Sequence, residues 1–317
     1  AIFFIFYGSF IWLAVKKELR PKDLSILIAI TVGILFFSYP AMLSYDIFNY
    51  VATSKVLFFY HENPYVVMPI EFMGDPLLAF THAANKIALY GPFWILLTGV
   101  PYLFGFGNFI VVLFSLKLLN LLFYLGTIFL MWRISKNIIS VVLFAFNPLI
   151  IIETIVSGHN DIVMIFLALL SFFLLAKKKI FLGLLFFALS IFIKYTTILL
   201  LPVFLFMVWR IIKKREIHFE KTFYYSCILM YIAFLLSPIR EEIYPWYAIW
   251  FISFVFLILN KKMLLYISIA FSFSLLLRYI PYMFTGTYAG QTPFIKEIIS
   301  FVPPVLVFAY YVFKKKI

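Results

Sequence analysis

The sequence is poor in the groups that hold soluble proteins together. A single cysteine, Cys227, stands in 317 residues, which excludes an internal disulfide and most thiolate metal sites. Charged residues make up 12% of the chain and acids number only 13, whereas a typical soluble domain is about 25% charged. Apolar and polar residues also fail to alternate as they would along the strands of a membrane barrel.

What is present points to lipid. Hydrophobic residues reach 65%, with 42 Phe and a mean hydropathy of +1.08. So much Phe cannot be hidden inside a water-soluble globule of this size. Lipid must then be the solvent for much of the surface, and the backbone must satisfy its own polar groups. Unbroken runs such as VVLFSLKLLNLLFYLGTIFLMW select helices. The expected fold is an all-α polytopic membrane protein.

The net charge of +13 does not describe a nucleic-acid binder, because the basic residues cluster in short turns between apolar runs. That is the pattern of cytoplasmic turns beside anionic headgroups. Taking those clusters as cytoplasmic gives about eleven crossings. They cover 2–15, 24–43, 110–132, 138–156, 162–176, 180–193, 196–212, 222–237, 246–259, 263–280 and 298–313. The basic flank of the first run, Lys16, Lys17, Arg20 and Lys22, follows it, the reverse of a signal peptide. Residues 1–317 then read as one transmembrane domain, with a large outward loop at 44–92 as its catalytic insert, carrying interfacial helices. Residues 93–107 read as a short helix dipping back from the outer face, broken by Gly99, Pro101, Gly105 and Gly107.

Acids show where chemistry would occur. Asp46, Glu62, Glu71, Asp75, Glu153, Asp161, Glu241, Glu242 and Glu297 all fall in or beside outward segments on this topology. The positive-inside rule does not demand that bias, so the outer face is the expected site of reaction. Asp46, in SYDIFNY, could act as a general base among aromatic neighbours, or cap a surface-lying helix from 47 to about 60. Glu62-Asn63-Pro64-Tyr65 forms a fixed turn presenting Asn63 and Tyr65. Gly74-Asp75-Pro76 could simply start a helix. Ser157-Gly158-His159-Asn160-Asp161 precedes a helix, where exposed N–H groups suit an anion or a sugar oxygen; Asp161 could equally be a plain N-cap. His159 and Asp161 could be metal ligands, so a divalent cation stays open, but the sequence shows only scattered donors and no clear ligand set. Lys194, Arg240 and Arg278 sit on the outward side and could receive a lipid-linked phosphate or merely snorkel to headgroups. Lys117 lies deep in an apolar run, where a charge needs a cavity or partner.

Taken in order, SYDIFNY, ENPY, YGP, NP followed by GHND, KYT with Pro202, and YPWY resemble membrane glycosyltransferases of the C superfamily. The likeness is to the polyprenyl-phosphate-mannose-dependent α-mannosyltransferases of bacterial and archaeal envelopes. It covers roughly residues 24–280. The resemblance implies inverting transfer of a hexose, with mannose expected, on the outer face of the cell membrane. The donor would be a polyprenyl-phosphate sugar and the acceptor an envelope glycan or glycolipid. It maps the catalytic base to Asp46 and puts His159, Asn160 and Asp161 near the sugar. Tyr90-Gly91-Pro92 departs from the family's usual Tyr-Pro-Pro. Two rivals stay open on the residues alone: a flippase or other multi-pass transporter, and a polysaccharide ligase or polymerase.

Overall fold

The structure is a computed structural model and describes residues 2–40, 43–239 and 242–314. It is helical, without a strand among the described residues. In chain order the helices are α1 (Ile2–Val15), α2 (Pro21–Phe36), α3 (Asp46–Phe58), α4 (Pro92–Phe104), α5 (Phe109–Ser135), α6 (Ile138–Ala145), α7 (Pro148–Ile151), α8 (Asp161–Ala176), α9 (Ile180–Ile191), α10 (Leu201–Ile212), α11 (Phe219–Leu236), α12 (Ala248–Val255), α13 (Lys262–Leu277), α14 (Ile280–Thr285) and α15 (Thr292–Lys314). Each apolar run expected to cross the membrane overlaps one of these helices or a broken pair.

Length divides them. Among the described residues five helical stretches are long and apolar enough to cross a membrane, and six if the pair broken between α6 and Pro148–Val156 counts as one span. Others, including α1, α4, α8 and α9, are apolar but only 10–17 residues long, below the roughly 20 usually required. These are the helices of a membrane protein.

The chain forms two compact units. One comprises Ala1–Ile28, Met131–Ile151 and Leu199–Ile317. In it α13 packs on α15, α11 on α12, and α1 on α6. The break after α6 has a visible cause. Asn147 precedes a proline, which disfavours helical backbone before it, and its side-chain oxygen accepts the Leu149 and Ile150 amides at 3.1 and 3.3 Å. Its amide nitrogen donates to Ser272 Oγ at 3.0 Å, so the polar atoms exposed by the break are satisfied.

The other unit comprises Ala29–Leu130 and Ile152–Ile198 and contains the whole 44–92 loop. Here α8 packs along α9, and α3 along α4. Three expectations need correction. First, α3 is not surface-lying: Ile47 through Ser54 and Val56 are buried. Second, Tyr45 takes its N-cap position and Asp46 its first turn, so Asp46 is not the cap. Third, α4 is not broken at Gly99 or Pro101 but runs to Phe104. Gly99 serves contact instead, since a Cβ there would lie 2.5 Å from the Phe58 ring; the small residue lets α3 and α4 close up.

The 44–92 loop is tied down at both ends of its acidic stretch. Asp75 caps the turn Pro76–Phe80 by accepting the Leu77 amide at 3.0 Å, and it also binds Lys55 Nζ and Tyr60 Oη, each at 2.8 Å. Burial alone would raise its carboxyl, but the bonds from Lys55, the Leu77 amide and Tyr60 together hold it below the usual carboxylate range. Glu71 accepts the Met68 amide at 2.7 Å. Both acids are thus committed to loop architecture. At the loop's exit the Gly91 and Phe93 amides bond the Ile193 and Phe192 carbonyls, each at 3.0 Å.

That clip permits no side chain at position 91, where a Cβ would lie 2.1 Å from the Phe192 carbonyl oxygen. Gly91→Ala should therefore destabilise the protein by about 1–3 kcal/mol through overpacking. A thermal unfolding curve in detergent should show a lowered Tm, and an unchanged one would contradict this packing.

Candidate active site

The polar residues of the second unit converge on the four-residue turn that precedes α8. The chain leaves α7 through a single π-helical turn, Ile152–Val156, which widens the helix and brings Glu153 inward. Such turns often mark functional positions. Gly158 then adopts φ +74°, and a Cβ there would lie 2.9 Å from Ile47; both facts require glycine. The turn is secured by backbone and side-chain bonds: His159 N to Glu153 O at 2.9 Å, and Asn120 Nδ2 to the Gly158 carbonyl at 2.9 Å. The Asn160 amide donates to Tyr50 Oη at 3.4 Å.

This scaffold presents an imidazole between two carboxylates. His159 Nδ1 lies 3.6 Å from Asp46 Oδ2 and its Nε2 3.2 Å from Glu153 Oε2. His159 and Glu153 are fully buried, while the Asp46 side chain keeps 29% exposure. Asp46 is thus the member of the trio open to its surroundings. Asn49 Nδ2 donates to its other oxygen at 3.4 Å. Burial, and then the charge of Lys194, hold His159 well below the ordinary imidazole range, so it is neutral at physiological pH.

Beside the trio, Lys194 binds both oxygens of the buried Asp161 at 2.8 and 2.9 Å. Asp161 therefore answers to Lys194, and Asn160, not Asp161, occupies the N-cap position of α8. The plain N-cap reading of Asp161 is overturned. Asn160 is fully buried, yet its side-chain oxygen and nitrogen have no hydrogen-bond partner among the described residues, and the same holds for the Ser157 hydroxyl. A buried polar group left so costs about 1–3 kcal/mol, a cost that a ligand hydroxyl would relieve.

Other expected site residues have partners of their own or fall outside the described residues. Asn63 is exposed and accepts the Tyr65 amide at 3.0 Å, shaping its own turn. Tyr65 Oη donates to the Tyr90 carbonyl at 2.7 Å, and the Tyr90 ring meets Tyr50 edge-on at 4.7 Å. Arg278 belongs to the other unit, where it binds Glu242 Oε2 and Ser300 Oγ, both at 3.0 Å. Lys296, which sequence reasoning missed, joins it on Glu242 at 2.8 and 2.9 Å. Arg240 lies outside the described residues. Lys117 donates to the Ser38 carbonyl at 2.6 Å, with the Phe36 and Phe114 rings each 5.6 Å from its nitrogen. Among the described residues no group of three or more His, Cys, Asp or Glu side chains is arranged to hold a metal ion.

Residues 4–210 match the sequence model of the MptA_B family, described as alpha-(1->6)-mannopyranosyltransferase, N-terminal domain. The chain belongs to this family. Comparison with curated proteins finds no match, and comparison with solved structures finds none either. Membership bears out the resemblance read from SYDIFNY to GHND, and it marks the chain as a mannosyltransferase-type glycosyltransferase, working between a sugar donor and an acceptor. The matched stretch contains Asp46, Glu153, His159, Asp161 and Lys194, whereas the Glu242 group lies beyond it.

The Lys194–Asp161 pair should be strongly coupled. Lys194→Met leaves a buried carboxylate without its cation, a change costing about 3 kcal/mol. The double variant Lys194→Met/Asp161→Asn should recover much of that loss in a detergent melting curve. Equal losses for single and double variants would show that the pair is not held together as described.

Proposed function

We propose that the protein is an inverting mannosyltransferase using a polyprenyl-phosphate sugar at the outer face of the cell membrane. The acceptor in this reading is an envelope glycan or glycolipid. The observation that carries the reading is the partly exposed Asp46 carboxylate standing against a buried His159, within the part of the chain matched by the family.

Asp46 removes the proton from the acceptor hydroxyl as that oxygen attacks C1 of the sugar from the face opposite the phosphate. General-base assistance of this kind contributes about 10²–10⁴-fold. The departing lipid phosphate carries its own charge and needs no proton, so one catalytic carboxylate suffices. Lys194 is the cation of the same cluster and is assigned the charge that develops on the phosphate. Arg278 and Arg240 are the alternatives for that task; Lys194 is the cation in the same unit as Asp46. Asn160 and Ser157, buried with unsatisfied polar atoms, are assigned to sugar hydroxyls, whose recognition rewards such groups.

Asp46→Asn keeps the side chain's shape and removes its basicity. Purified protein in lipid, given polyprenyl-phosphate mannose and a mixture of envelope acceptors, should lose transfer by about a hundredfold or more while donor binding persists. Wild-type turnover in this variant would strip Asp46 of its role. Movement of a labelled sugar lipid across vesicles without a covalent product would favour the flippase instead.

A further inference from the structure

The helices α10 and α11 leave a cavity between them that the transfer reaction does not use. α11 packs closely on α12 but touches α10 sparingly. The gap is a groove of about 540 Å³, within the roughly 300–1,000 Å³ usual for small-molecule sites. Both helices turn a regular stripe toward it. Val203, Phe206 and Met207 come from α10, and Tyr225, Ile228 and Leu229 from α11, at the three- and four-residue spacing that keeps side chains on one helical face. Phe206 and Tyr225 remain exposed, so the groove opens on the protein surface.

The lining changes character along its length. Arg210, in the last turn of α10, closes one end together with Lys221, in the first turn of α11, and His218 just before it. No Asp or Glu lines the groove. Arg210 gives its Nε–H to the Glu216 carbonyl at 2.6 Å, which fixes the guanidinium while its two terminal nitrogens make no hydrogen bond among the described residues. The Lys221 ammonium and the His218 ring have no partner among them either. Glu220, the acid beside Lys221 in sequence, is taken by Asn260 at 2.6 Å and faces Lys261 at 3.7 Å. Two cations thus stand uncompensated at one end of an apolar trough. Trp209, stacked with Arg215 at 4.9 Å, marks that end as headgroup depth, where such rings collect. From Val203 to Arg210 the helix rises about 10 Å, against the roughly 15 Å hydrocarbon depth of one leaflet.

An occupant of this groove needs an anionic head for the two cations and a hydrocarbon tail for the walls beyond them. We propose that the α10–α11 groove holds one anionic phospholipid, its phosphodiester on Arg210 and Lys221 and an acyl chain along Phe206, Met207 and Leu229. The two free nitrogens of the guanidinium match two phosphate oxygens, and the lysine adds a compact point charge. A zwitterionic phospholipid suits the walls equally, but its headgroup cation is set against the same two charges. The lipid fills the gap between α10 and α11 and so braces them. The site stands apart from the transferase reading, because the positive-inside rule puts this basic turn on the cytoplasmic side, opposite the face proposed for the sugar donor.

The test is photo-cross-linking in nanodiscs. Phosphatidylglycerol and phosphatidylcholine, carrying the same diazirine-bearing acyl chain, are added in separate samples at equal trace loading to a phosphatidylcholine bilayer, and labelled peptides are mapped by mass spectrometry. Each cation in contact with an anionic headgroup is worth about fivefold, so wild-type protein should label at a phosphatidylglycerol-to-phosphatidylcholine ratio of about ten or more on the peptides carrying residues 203–210 and 221–229. Arg210→Gln/Lys221→Gln should bring that ratio close to one. Lys213→Gln/Lys214→Gln, in the same turn but off the groove, should leave it within about twofold of the wild-type value. A wild-type ratio near one, or an equal fall in the Lys213→Gln/Lys214→Gln protein, would overturn the site in favour of general attraction between headgroups and a basic turn. Loss of labelling on adding inorganic phosphate would mark a plain anion site, and preferential displacement by polyprenyl phosphate a carrier-lipid site; either result overturns the assignment to phospholipid.

Discussion

Inside an apolar helical protein an ionised group can persist only beside a group of opposite charge or a proton donor, and here those pairings meet in one short turn. Lys194 and Asp161 neutralise each other, one from each end of the α8–α9 hairpin. His159 faces a carboxylate on either side. Because the cost of a bare buried charge far exceeds that of a mispacked methyl group, these contacts determine where the surrounding helices stop. The helix entering the turn widens to bring Glu153 inward, and α3 brings Asp46 to the opposite side. Gly158 gives the turn the left-handed backbone it requires.

The 44–92 loop serves this arrangement as a frame. Its Glu71 and Asp75 are spent on caps and on Lys55, and its exit is clipped to the end of α9, next to Lys194. Tyr65 extends the frame by holding Tyr90, whose ring meets Tyr50. The loop read from sequence as the catalytic insert thus supplies one carboxylate of the cluster, Asp46, and a good deal of support. The cluster's other charged groups arrive from the segment after α7 and from the turn after α9.

How far the sequence could be read depends on the type of signal. Apolar runs are long and unambiguous, so helix positions such as 110–132 and 162–176 fall within a few residues of α5 and α8. The break after α6 has a local cause in the sequence, because Pro148 disfavours helical backbone at Asn147. Capping was not: Asp46 and Asp161 both look like N-caps, but each stands one residue inside its helix, a difference set by tertiary partners. Gly99 and Pro101 also misled, since a close-packed neighbour keeps α4 continuous. The partners of Glu153 and Lys296 escape the sequence for a related reason: only the fold brings Glu153 to His159 and Lys296 to Glu242.

Lys117 carries a consequence beyond its own solvation. Its ammonium is held by the Ser38 carbonyl and flanked by two phenyl faces, just after α2 ends and shortly before Asp46. An axial slip of α5 by one residue, a rise of about 1.5 Å, would pull that ammonium off its carbonyl and strand it in hydrocarbon. The lysine therefore works as a detent, setting the lengthwise position of α5 and, through Asn120 one turn further along, the height of the Gly158 carbonyl.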